Sequence, residues 1–180
     1  MAIKTFATGE VLTASDTNTY LANSGLVYVT STTIGSAVSS ITLSNVFNST
    51  YDSYRVVLRG TTATNIDWLK LTLSGASGLS YAFNLPYYNY STAGTFYYVN
   101  GGANHIGFVV TGTTMSGAMD IHNPFATATT GFYTTGASET YVNAGGGYNS
   151  NTTSSTGFTL TPNAGTITGG TVTVYGYRKA

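Results

Sequence analysis

From Leu26 onward, apolar and polar positions alternate with a period of two, in short runs of β-branched and aromatic residues separated by Gly, Asn and Ser. Side chains two apart share a face only in an extended strand, so this period predicts strands. In Tyr54-Arg55-Val56-Val57-Leu58-Arg59, the residues Tyr54, Val56 and Leu58 fall on one face while Arg55 and Arg59 fall on the other. Leu69, Leu71 and Leu73 likewise oppose Trp68 and Lys70. Strands are expected over 26–33, 38–43, 51–59, 67–73, 96–99, 106–111, 118–122, 131–135, 140–148, 157–161 and 171–178. One inward and one outward face is the mark of antiparallel sheets packed on each other. Many short strands with no helical periods between them favour an all-β, jelly-roll-like antiparallel sandwich over any alternating strand–helix design.

The segment before Leu26 follows a different pattern. Thr13 is placed to cap a helix opening at Ala14-Ser15-Asp16, with the Asp16 carboxylate near its positive end, and Gly25 stops it. Such a helix has about nine residues, short of the ~12 at which isolated helices hold in water, so Leu12, Tyr20 and Leu21 need an apolar surface to lie on. That surface belongs either to the same chain or to another protein. The chain therefore divides into an N-terminal arm with a short helix, residues 1–25, and a sandwich domain, residues 26–180.

Charge narrows the picture further. Only 7% of the 180 residues are Asp, Glu, Lys or Arg, six acids against six bases, where an ordinary soluble domain carries roughly 25%. A chain of zero net charge lacks the repulsion that keeps monomers apart. Thr, Ser, Asn and Gly can wet such a surface, and neighbouring subunits can cover it. The six scattered bases do not form the clustered patch that nucleic acid requires. No apolar run is long enough to span a bilayer as a helix, and residues 1–6 lack the apolar core of a signal peptide, so synthesis in a cytoplasm is expected. With no cysteine, stability must come from packing and hydrogen bonds.

Candidate chemistry is sparse. The acids are Glu10, Asp16, Asp52, Asp67, Asp120 and Glu139, and the histidines are His105 and His122. No serine sits in a Gly-x-Ser-x-Gly elbow. The Gly145-Gly146-Gly147 run precedes no helix that could cradle a phosphate, and reads as a bulge or as close strand packing. Asp120 and His122 share a strand face and could hold one metal with His105 as a third ligand, but an exposed strand pair explains them better. Asp52 with Asp67 is the one carboxylate pair that a glycan-cleaving reading could nominate. The expectation is a chain that is not an enzyme and needs neither metal nor cofactor.

Aromatic side chains carry more. Tyr87, Tyr88 and Tyr90, then Phe96, Tyr97 and Tyr98, crowd one short stretch, and Pro86 and Gly94 bracket the first group as an expected exposed loop. Tyrosine offers a flat apolar face and a hydroxyl, which suits a sandwich core, a subunit interface or stacking on sugars. The Asn-x-Ser/Thr sequences at Asn48, Asn89 and Asn151 are what chance gives in so Thr-rich a chain.

The run from Lys4 to Leu21, Lys-Thr-Phe-Ala-Thr-Gly-Glu-Val-Leu-Thr-Ala-Ser-Asp-Thr-Asn-Thr-Tyr-Leu, resembles the leader F-x-x-G-E-V-L-T-A-x-x-x-N-x-Y-L of many tailed-phage virion proteins. The remainder, through Thr171-Val172-Thr173-Val174-Tyr175-Gly176-Tyr177-Arg178, looks like structural proteins of marine and cyanobacterial phages. The resemblance implies a virion location and an arm that docks on the particle through Phe6, Val11, Leu12, Tyr20 and Leu21. It implies as partners other virion proteins and copies of the chain itself, as a trimer, in a head decoration, collar or tail appendage. A second expectation is a carbohydrate- or receptor-binding module of a fibre or spike, with Tyr87, Tyr88, Tyr90, Tyr97 and Tyr98 meeting a host glycan or a neighbouring subunit.

Overall fold

The computed structural model describes residues 6–17, 25–64, 68–76, 78, 80–91, 95–110 and 113–178. Among the described residues, twelve strands follow one short helix. They are β1 (Leu26–Ile34), β2 (Ile41–Leu43), β3 (Tyr51–Thr64), β4 (Trp68–Leu73), β5 (Tyr81–Asn89), β6 (Thr95–Ala103), β7 (Ile106–Val110), β8 (Thr114–His122), β9 (Thr130–Ser138), β10 (Tyr141–Asn149), β11 (Phe158–Pro162) and β12 (Thr166–Arg178). An eight-stranded sheet runs β1-β12-β3-β8-β9-β10-β5-β6, and a four-stranded sheet runs β2-β11-β4-β7. Every pairing among them is antiparallel.

The order contains a jelly roll. Without the hairpins β5–β6 and β9–β10, the sheets read β1-β12-β3-β8 over β2-β11-β4-β7, with first strand beside last and the chain crossing from sheet to sheet. That is the doubled Greek key of the eight-stranded jelly roll. The two hairpins then widen one sheet only.

The alternation in the sequence explains the packing. Tyr54, Val56 and Leu58 of β3 and Leu69, Leu71 and Leu73 of β4 are all buried, on the facing sides of the two sheets. Each such side chain removed from water contributes about 1.5–3 kcal/mol relative to staying exposed. The buried tyrosine hydroxyls are satisfied: Tyr54 donates to the Asn48 carbonyl at 3.0 Å, and the Leu73 N–H donates to Tyr81 at 2.8 Å. Strands β3 and β12 bend together where Gly60 and Gly170 take φ of 56° and 101°, and the register shifts beside both. A Cβ at Gly170 would stand 2.5 Å from Thr61 Cα, so only glycine fits there.

The inserted strands β9 and β10 lock onto the end of the small sheet. Thr134 donates its hydroxyl to the Phe108 carbonyl at 2.6 Å, and Asn143 Nδ2 donates to the same oxygen at 3.3 Å. Phe108 lies on β7, the last strand of the small sheet, so these side chains occupy an edge acceptor that would otherwise be left unpaired.

Several expectations need correction. Tyr87 and Tyr88 lie within the strand β5, and Tyr90 directly follows it, so the tyrosine group is no loop. Pro86 lies at a gap in the β5–β10 partners, which skip Leu85 and Pro86, while it stays in register with Phe96 of β6. The expected strand over 38–43 begins only at Ile41, with Val38 in an isolated bridge to Ile167. Gly145-Gly146-Gly147 is close strand packing and not a bulge, because β10 keeps its register with β9 through all three. The three Asn-x-Ser/Thr sequences are Asx turns: the N–H of Thr50, Ser91 and Thr153 each donates at 2.8 Å to the side chain of the Asn two residues before.

Candidate recognition surface

The arm is described over residues 6–17. Its helix is α1 (Ala14–Asp16), capped as expected: Asp16 N–H donates to Thr13 Oγ1 at 3.0 Å, and Thr13 N–H donates back to Asp16 Oδ2 at 3.1 Å. The expected helix is described only as far as residue 17, and its remainder, with the docking candidates Tyr20 and Leu21, lies outside the described residues. The other candidates are exposed: Phe6 at 38%, Val11 at 79% and Leu12 at 50%.

The tyrosine group divides by strand parity. Tyr87 points inward and packs edge-to-face on Tyr141, with ring centroids 5.6 Å apart. Tyr88 and Tyr90 point outward and are exposed. Tyr97 and Tyr98 lie on β6 beside β5, with side chains outside the described set.

A richer constellation lies at the centre of the same outer face. At one level across adjacent strands stand Tyr175 on β12, Arg55 on β3, Asp120 on β8 and Tyr133 on β9, each the register partner of the next. Tyr28 on β1 continues the row, edge-to-face on Tyr175 with centroids 6.3 Å apart. Tyr177 donates its hydroxyl to Asp120 Oδ1 at 2.6 Å, Arg55 Nη1 donates to the Tyr177 oxygen at 3.3 Å, and Arg55 and Asp120 approach to 3.6 Å. Burial, and then the bond to Asp120, push the Tyr177 phenol above its ordinary value; the Tyr177 hydroxyl and then the nearby Asp120 charge raise Arg55 further against its desolvation. Next to Tyr133 the neighbouring positions are Gly131 on its own strand and Gly146 on β10, so the ring stands clear.

Beyond this row the face sinks into a shallow depression of ≈ 570 Å³, whose lining includes Ala118, Thr135, Ala137 and Ala144. Val142 closes its far side, next to Tyr88 on β5. In the sequence Arg55 was legible as an outward-facing residue and Asp120 as the strand-face neighbour of His122. Their partner Tyr177 is 122 and 57 residues away in sequence, and no local spacing signals it.

The remaining candidates do not converge. His122 Nδ1 is 3.0 Å from Ser53 Oγ on the outer face, whereas His105 sits beside β7 against Trp68 and Phe83. The three-ligand reading with Asp120 therefore fails on placement. Asp52 is exposed, and Asp67 lies outside the described residues. Among the described residues no group of three or more His, Cys, Asp or Glu could hold a metal ion. No family model matches the chain, and neither a curated protein nor a solved structure does so.

Proposed function

We propose that this chain is a structural subunit of a tailed-bacteriophage particle, made in the host cytoplasm, which docks through its N-terminal arm and assembles with copies of itself through the sandwich. The observation that carries the reading is the arm. Residues 6–15 are all exposed, and Val11 and Leu12, just ahead of the capped turn, present apolar side chains to solvent. A partner surface that covers them accounts for both the exposure and the likeness to phage leaders.

Self-assembly draws on the sheet edges. The end strands β1, β6, β2 and β7 contain no charged residue and no proline, which are the usual guards against edge pairing. Jelly rolls recur in viral capsids and also in lectin domains, so the architecture supports the reading only by analogy. A homotrimer without catalytic activity, set among other virion proteins as a decoration, collar or tail appendage, is the form we assign. The second reading, a receptor-binding module of a fibre or spike, is favoured by the outward tyrosines of the large sheet.

The test is incorporation. The full chain, and a chain lacking residues 1–24, are supplied to a phage deleted for the gene, and gradient-purified particles are assayed by peptide mass spectrometry. The expected result is a full chain present and a truncated chain folded by circular dichroism but absent. A truncated chain that enters particles as well as the full one would contradict docking through the arm.

A further inference from the structure

We propose that the outer face of the eight-stranded sheet is a binding site for a neutral oligosaccharide, laid across the Arg55–Asp120 pair with Tyr133 as its stacking platform. The proposal does not depend on the particle assignment, since it concerns a surface of the sandwich alone.

Three features converge. The first is an exposed aromatic ledge: Tyr133 is 53% exposed and Tyr148 on β10 is 47% exposed, and the register sets Tyr148 beside Gly131. Flat rings standing out of a sheet match the apolar faces of pyranose rings. The second is unspent hydrogen-bonding capacity. Asp120 accepts from Tyr177 at one oxygen, while its other oxygen meets Arg55 at 3.6 Å, too long for a good hydrogen bond. A carboxylate has about four acceptor sites and a guanidinium five donors, so both retain free positions side by side. Adjacent sugar hydroxyls, each able to donate and accept, fit such a pair. The third is the floor: small side chains at Ala118, Ala137 and Ala144 leave the approach along the strands open.

Charge selects the ligand class. Arg55 and Asp120 cancel, and the depression beside them is lined by no charged residue, so a sulfated or phosphorylated glycan gains little here and meets the Asp120 carboxylate. From β12 to β9 the row covers three strand spacings, about 14 Å, which suits an extended chain better than a compact molecule needing enclosure. Each stacking contact is weak alone, and repetition in an assembly raises the effective affinity.

The experiment is affinity electrophoresis of the full chain in native gels cast with soluble neutral polysaccharides (xyloglucan, galactomannan, hydroxyethyl cellulose and dextran), with dextran sulfate as the anionic probe. At least one neutral polysaccharide is expected to retard the protein. Tyr133→Ala is expected to weaken that retardation about fivefold. Asp120→Asn, which keeps the shape of the side chain, should weaken it as well, with the light-scattering mass of both variants unchanged. Four results would overturn the proposal: no retardation by any neutral polysaccharide, retardation by dextran sulfate alone, retardation indifferent to both substitutions, or loss of assembly in Tyr133→Ala, which would give the face to a second copy of the chain.

Discussion

The Tyr177 hydroxyl reaches from β12 across the intervening strand β3 to Asp120 on β8, donating at 2.6 Å to a carboxylate that also faces Arg55. Three strands of the large sheet are thereby tied on their outer face. Charged hydrogen bonds contribute about 1.5–3 kcal/mol when shielded, and partial exposure of this one reduces the expected cost of Tyr177→Phe to about 1 kcal/mol. Asp120→Ala should cost at least a similar amount. Because both remove the same bond, the double variant should be no less stable than the worse single one by urea denaturation; additive losses would mean that the two residues act separately.

Gly147 tests the packing of the inserted hairpins. A Cβ there would fall against the Ala82 carbonyl oxygen and 2.6 Å from Phe83 Cβ. Gly147→Ala must push β10 from β5 and is expected to destabilise by about 1–3 kcal/mol. Gly131→Ala, whose Cβ would come no closer than 3.8 Å to His122, is the control. It should stay within about 0.5 kcal/mol of the parent. Equal thermal shifts for the two would contradict the close approach.

His105 gives the fold an acid limit. Desolvation against Trp68 and Phe83, with Lys70 adding to it, holds its imidazole down to about 4 from an ordinary 6.5, and Nδ1 donates to Asn104 Oδ1 at 2.7 Å. The folded chain thus takes up the proton later than the unfolded one. Stability from this group is fully present above pH 6.5 and is lost as pH falls from there towards 4. His105→Gln should flatten that part of the stability–pH profile in urea titrations, and an unchanged slope would contradict the assignment.

The alternation that made Tyr54, Val56 and Leu58 legible as core depends only on neighbours in sequence. The same rule placed Leu69, Leu71 and Leu73 correctly. It failed at β5, where Pro86 and the Tyr/Asn run have the composition of a loop and the strand is held by partners 8–22 residues away on β6 and 52–68 residues away on β10. The candidate surface was hidden for the same reason. Tyr175, Arg55 and Asp120 meet only through the jelly-roll order, which joins positions remote in the chain, and Tyr133 joins them from the inserted strand β9.

Uncharged edges on β1 and β6 predict association in solution. Light scattering at tens of micromolar, a range that populates interfaces of ordinary size, should give three times the 18.8 kDa chain mass. A single chain mass throughout that range would remove self-assembly from the account.

The proposed membership of a particle is tested most directly by quantitative peptide mass spectrometry of gradient-purified particles of a phage that carries the gene. The predicted result is a fixed number of copies per particle, divisible by three and retained through repeated banding. A chain abundant in the infected-cell lysate yet absent from the banded particles would contradict it.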